Sequence, residues 1–186
     1  GLTNKENMVN VLIRTLIAVA VLALATAPSA QASNAIRPTE VHSVIELDYP
    51  LEAGEYVWND AGVPAGPVRV VVDLEVETIY VYRSGVEIGR AFILYGADHK
   101  PTPTGVFPIM EKDIDHVSRT YGNAPMPYSL RLTRGYVAIH GSDVDFGYAT
   151  HGCVGVPLDF AEKLYAQAQV GDAVLITRGW LPNIYR

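Results

Sequence analysis

The chain of 186 residues holds a single cysteine, so no intramolecular disulfide can form. Positive charge is scarce: 14 Lys and Arg face 20 Asp and Glu, giving a formal net charge of −6 and a pI near 5.3. Phosphate binding needs clustered Lys and Arg, which excludes nucleic acid as the main partner. The sequence has no internal repeat and no low-complexity tract, and only one stretch has helical periodicity. Apolar residues are plentiful at 49%, enough to bury a core, which excludes global disorder. Sixteen Gly and twelve Pro point to a strand-rich, turn-rich fold. The length supports one mostly β domain with one or two short helices.

There is one long apolar run, Leu16 to Ala25. Arg14 precedes it, and Pro28 and then Ala30-Gln31-Ala32 follow, the small-x-small pattern of a cleavage site. Met8 is the plausible start. The run is shorter than the about 20 residues that cross a bilayer. Residues 1–32 are therefore expected to be a signal peptide, a retained anchor being the competing reading. The chain is expected to be exported to the periplasm or cell envelope. A free thiol in an oxidising compartment is either buried and inert or kept for its chemistry.

Residues 33–67 read as an N-terminal extension or linker ending in a turn-rich boundary, Asn59 to Pro67. The principal domain is expected over 68–178, with a tail over 179–186. Val68 to Asp73, Thr78 to Arg83 and Val86 to Leu94 alternate or are β-branched and read as a β-meander. Lys100 to Gly105 is a rigid loop with two prolines, and Val106 to Met110 resumes an extended run. Asp113 to Pro127 is expected to be a long surface loop. Tyr128 to Leu132 and Tyr136 to Ile139 read as a hairpin around Thr133-Arg134-Gly135. Leu158 to Gln169 reads as the helix, and Ala173 to Thr177 as a closing strand.

The chemistry gathers at Thr150-His151-Gly152-Cys153-Val154-Gly155. A thiol attacks as thiolate, so it needs a base, a cation or a helix N-terminus nearby. His151 lies two residues upstream. His140 ends an expected strand with twelve residues between it and Cys153, so a returning loop could bring the thiol to a rigidly held imidazole. Gly152 removes bulk beside the thiol and lets the backbone N–H groups of Gly152 and Cys153 approach an oxyanion. A packing cysteine is the bland alternative, which the Gly and His flanks disfavour. A zinc site from His140, His151 and Cys153, with Asp143 or Asp145 as fourth ligand, is a further alternative. The remaining histidines, His42, His99 and His116, are expected to be solvated.

Ile139-His140-Gly141 followed by Thr150-His151-Gly152-Cys153-Val154 resembles the signature of L,D-transpeptidases with the YkuD-type catalytic domain. Pro101-Thr102-Pro103-Thr104-Gly105-Val106-Phe107 is similar to the family's Thr-Pro-Thr-Gly-x-Phe marker. Val70 to Tyr82 resembles its opening hairpin, and Met126-Pro127-Tyr128 the stretch before its His strand. The likeness spans about Val68 to Thr177. It implies an L,D-transpeptidase-like β-sandwich or barrel and an enzyme that remodels peptidoglycan. By that resemblance Cys153 is the nucleophile and His140 its base, with the Gly141 carbonyl on the second ring nitrogen. His151, Gly152 and Cys153 would form the oxyanion site, with Tyr128 and Thr150 binding substrate. The partners implied are peptidoglycan stem peptides, with no metal, no organic cofactor and no nucleic acid.

Two departures stand out. Gly155 replaces the Arg or Asn common in the family, and the loop from Gly141 to Ala149 is shorter than usual. Arg119, Arg131 and Arg134 are the candidates to replace the lost polar group. The acceptor is left open: an amine of a second stem peptide, water, or an amine of an envelope protein. A non-catalytic wall-binding module on the same fold is the reading from another class. A thiolate–imidazolium pair is expected to keep the thiol reactive below its ordinary pKa.

Overall fold

A computed structural model describes residues 34–182. The expected signal peptide and the last four residues of the tail lie outside that range. Among the described residues, ten strands form two sheets. The larger sheet is built from β1 (Tyr56–Trp58), β2 (Val68–Asp73), β3 (Thr78–Arg83), β4 (Val86–Phe92), β5 (Gly105–Pro108) and β10 (Ala173–Thr177), in the order β1-β4-β3-β2-β10-β5. The smaller holds β6 (Glu111–Ser118), β7 (Ala124–Arg131), β8 (Ala138–Gly141) and β9 (Val154–Val156), in that order. An α-helix, α1 (Leu158–Gln167), follows β9 directly. This is the mostly β architecture expected from composition.

β2, β3 and β4 form the antiparallel meander, and β10 returns parallel to β2 with Val174 opposite Val70. The near-continuous apolar run of β2 fits a strand covered on both faces. On one face Val70 and Val72 join the main core with Ile79, Val81, Leu130, Ile139, Val154 and the helix residues Phe160, Ala161 and Leu164. On the other, Val71 and Tyr82 pack with Ile36 and Val41.

That second cluster shows that the N-terminal extension packs on the domain. Ile36 and Val41 cover a sheet face, Ser43 bridges to Val86, and Tyr56 to Trp58 pair antiparallel with β4. Trp58 and Tyr56 set their rings edge-on to Phe160 of α1, at 5.5 and 6.0 Å. The tail is also tied in: the buried Asp73 carboxylate accepts the Gly179 and Trp180 N–H groups, and Trp180 Nε1 donates to the Tyr82 hydroxyl.

The stretch expected as a loop, Asp113 to Pro127, is instead the body of the β6–β7 hairpin, Glu111 pairing with Arg131 and Ser118 with Ala124. It reads as a loop because β6 is polar and mostly exposed, and β7 carries Pro125 and Pro127. β7 pairs with β8 only at Leu130 and Arg131, so both prolines sit where that edge needs no ladder N–H. Lys112 of β6 donates to the Tyr165 and Ala168 carbonyls, both at 2.7 Å, and so closes the C-terminal end of α1. The helix stops at Gln167, two residues before the expected end.

Candidate active site

β8 places His140 at the meeting of the two sheets. Its neighbour β9 runs parallel, with Ile139 opposite Val154 and His140 opposite Gly155. Side chains alternate along a strand, so Cys153, two residues before Gly155, shares the face of His140. Both line one cleft of about 620 Å³. A larger cleft of about 680 Å³, between the Ile45 to Leu51 segment and β3–β4, contains neither residue.

The His140 ring is buried, at 9% exposure. Its Nδ1 donates to the Gly141 carbonyl at 2.9 Å, which fixes the tautomer and leaves Nε2 as the basic nitrogen. Burial pushes the imidazole pKa down, the Gly141 carbonyl opposes this, and nearby His116 lowers it further. The ring is therefore neutral near pH 7, as a base must be.

Cys153 is half-buried and free. Its thiol donates to the backbone carbonyl of Tyr136 at 3.4 Å. Burial pushes its pKa up, while the Ala138 N–H favours the thiolate. Both shifts, on Cys153 and on His140, oppose charge separation. In the empty cleft the surroundings favour the neutral forms of both groups over the expected ion pair.

The turn before Cys153 is held from two sides. Thr150 Oγ1 donates to the Cys153 carbonyl and accepts the Gly152 N–H at 3.2 Å. Thr102, buried in the Pro-Thr-Pro-Thr loop, accepts the Gly96 N–H at 2.8 Å and donates to the Gly152 carbonyl at 3.0 Å. Gly152 has φ +108°, a conformation that side chains disfavour. Thr150 lines the cleft, and its hydroxyl is spent on this turn. Gly155 exchanges two hydrogen bonds with Leu94, both 2.9 Å, and a Cβ there would lie 3.1 Å from the Ser142 Cβ. Ser142 thus occupies the space a larger residue at 155 would take.

His151 is exposed and lines the cleft; Tyr121 stacks on it at 4.1 Å and His99 approaches it edge-on at 6.2 Å. Tyr128 is not part of the cleft lining: its ring packs against Tyr165 of α1. Of the three arginines, Arg131 pairs with Glu111 at 2.6 Å and lies over the Tyr136 ring, while Arg119 and Arg134 do not line the cleft. His42 is exposed and bonded to the Ser84 carbonyl outside the cleft. His116 is not solvated as expected: it is 22% exposed, bonded to Asp113 at 3.0 Å and stacked on Tyr136. Among the described residues, no group of three or more His, Cys, Asp or Glu is gathered closely enough to hold a metal ion.

Sequence reasoning missed Tyr136, His116 and Tyr121. Thr133-Arg134-Gly135 gave a turn signal, but nothing marked Tyr136, read as the start of the next strand, as the residue with φ +64° whose carbonyl meets the thiol.

A family model described as the L,D-transpeptidase catalytic domain (YkuD) matches residues 67–176. No curated protein sequence matches the chain. Among solved structures, an L,D-transpeptidase from Mycobacterium smegmatis is 25% identical, with TM-score 0.55 over 59% of this chain and 58% of that one. An Enterococcus faecium L,D-transpeptidase is 27% identical, with TM-score 0.54 over 60% and 50%. One from Stackebrandtia nassauensis shares the fold at 24% identity, with TM-score 0.56 over 65% and 60%. The chain therefore matches less than two thirds of the length of each of these proteins. The family match covers more than half of the sequence, and it takes in the His140 strand, the Thr102 loop and the Cys153 turn alike: the chain belongs to the L,D-transpeptidase (YkuD) family, a family of cell-wall enzymes.

Proposed function

We propose that the protein is an exported L,D-transpeptidase that cross-links peptidoglycan stem peptides through an acyl-enzyme on Cys153. The observation that carries this reading is the placing of Cys153 and His140 on one face of the β8–β9 pair, within one open cleft.

Cys153 gives its proton to His140 Nε2 as its sulfur attacks the carbonyl that joins an L-centred residue to a terminal D-amino acid. The C–N bond breaks, the D-amino acid leaves with the proton from His140, and a thioester remains. The amine of a second stem peptide then attacks the thioester, and Cys153 recovers its proton by way of His140. We assign the tetrahedral oxyanion to backbone N–H groups of the turn His151-Gly152-Cys153. The Gly152 N–H is engaged with Thr150 at rest, so its share requires exchange of that 3.2 Å bond. Burial favours the neutral form of each group, so the proton moves once substrate is in the cleft. This limits wasteful oxidation of the free thiol in an oxidising compartment.

The test is product mass analysis with a defined tetrapeptide donor, with and without an amine acceptor. A cross-linked peptide that needs the acceptor supports the reading. Tripeptide alone in both arms would make the protein an L,D-carboxypeptidase. Transfer only to a protein amine would make it an anchoring enzyme for envelope proteins. Unchanged donor would leave a wall-binding module.

A further inference from the structure

Tyr136 meets the thiol through its backbone carbonyl and holds a left-handed conformation, φ +64°, though it is not glycine. That conformation is costly for a residue with a side chain and persists only where its surroundings hold it. The ring is 56% exposed, so burial does not supply the hold. Two neighbours do. The His116 ring lies nearly parallel to the Tyr136 ring, with centroids 5.7 Å apart and an interplanar angle of 15°. The Arg131 guanidinium carbon lies 5.2 Å from the same centroid. Both come from the β6–β7 hairpin, and both are anchored there: His116 Nδ1 to Asp113 Oδ2 at 3.0 Å, and Arg131 to Glu111 at 2.6 Å.

The geometry points to His116 as a positioning residue that acts on the nucleophile through Tyr136. Its ring, fixed by Asp113, holds Tyr136 so that the Tyr136 carbonyl takes the hydrogen of the resting Cys153 thiol. A carbonyl that accepts S–H stabilises the neutral thiol and repels the thiolate. The hairpin thus acts as a latch that keeps the sulfur protonated until substrate arrives. The charged and titratable groups around His116 are Asp113 and Glu111 on its own strand, Arg131 on β7, Tyr136 in the turn and His140 on β8, with Arg119 beyond the strand end. This assignment rests on Cys153 being the reactive group. Its readout is thiol titration without peptidoglycan, so it can fail while the acyl-transfer reading stands.

The experiment compares the alkylation rate of Cys153 by iodoacetamide across pH in five folded proteins: wild type, His116→Ala, His116→Phe, Tyr136→Gly and the double variant Tyr136→Gly with His116→Ala. The chain has one thiol, so the signal is unambiguous. His116→Ala removes the stack, and the expected result is a rate at neutral pH about threefold above wild type as the thiol titrates lower. His116→Phe keeps a flat ring on Tyr136 and returns the profile to near wild type. Tyr136→Gly adopts a positive φ without strain, so the backbone survives while the stack is lost. In that background His116→Ala has no further effect. Wild-type profiles in His116→Ala, failure of Phe to rescue, or additive effects of the two changes would each overturn the proposal.

Discussion

The Cys153 thiol gives its hydrogen to the backbone carbonyl of Tyr136, 3.4 Å away, while His140 on the next strand is anchored through Nδ1 to the Gly141 carbonyl. The proposed nucleophile and its proposed base thus face one cleft. The pH behaviour of the protein follows from that arrangement.

Burial raises the Cys153 pKa and lowers that of His140. For a thiol the charged form is the deprotonated one, so a raised pKa means that thiolate accumulates only at higher pH than for free cysteine. Alkylation without substrate is therefore expected to rise through a titration above the free-thiol range. With His140 as the proposed base, turnover needs the neutral ring, and its lowered pKa is expected to carry activity to more acidic pH than an ordinary imidazole allows. Both limbs are read from pH–rate profiles. Rapid alkylation that persists into acid would mean an ion pair.

Replacing His140 by Ala removes the base and leaves the thiol in place. Acylation by a tetrapeptide donor is expected to fall by about 10²–10⁴-fold, with the far-UV spectrum unchanged. Stopped-flow or quenched mass measurement of the first turnover checks it.

Thr102 joins Gly96 N–H to the Gly152 carbonyl through one buried hydroxyl. Thr102→Val keeps the shape and orphans both groups, which costs about 1–3 kcal/mol. Denaturant titration should show the loss, and acylation should slow because the Cys153 turn loosens. Thr102→Ser, which keeps the hydroxyl, should lie near wild type in both.

Gly155 and Ser142 fill one space between them. Gly155→Asn, which restores a polar residue common in the family, is expected to destabilise by about 1–3 kcal/mol through overpacking. Adding Ser142→Gly should recover much of that loss in a double-mutant cycle. Strict additivity of the two changes would show that the residues do not share the space.

The meander, the helix and the Cys153 turn were legible because their signals are local. Alternating β-branched runs, a 3.6-residue apolar period and a Gly-flanked Cys each state their structure in a few residues. The β6–β7 hairpin was not legible. Asp113, Asp115, Pro125 and Pro127 all disfavour strand, and only pairing with a partner strand and the Lys112 contact to α1 offset them. The packing of the N-terminal segment was not legible for a similar reason: Ile36 and Val41 are isolated apolar residues whose partners, Val71 and Tyr82, lie far along the chain. At the site, His140, Cys153, His151 and Gly152 carry motif signals, whereas Tyr136 and His116 matter only through three-dimensional placement. Tyr128 carried a motif signal, yet its ring turns to Tyr165, because side-chain direction in an irregular strand does not follow simple alternation.

The most direct measurement is the intact mass of the protein after brief exposure to a tetrapeptide donor without any amine. Wild type should gain the mass of the tripeptide acyl group on Cys153, at far greater speed than His140→Ala, and lose it when an amine is added. A folded protein that gains no mass, or one in which Cys153→Ala gains it equally, would contradict the assignment of Cys153 and His140.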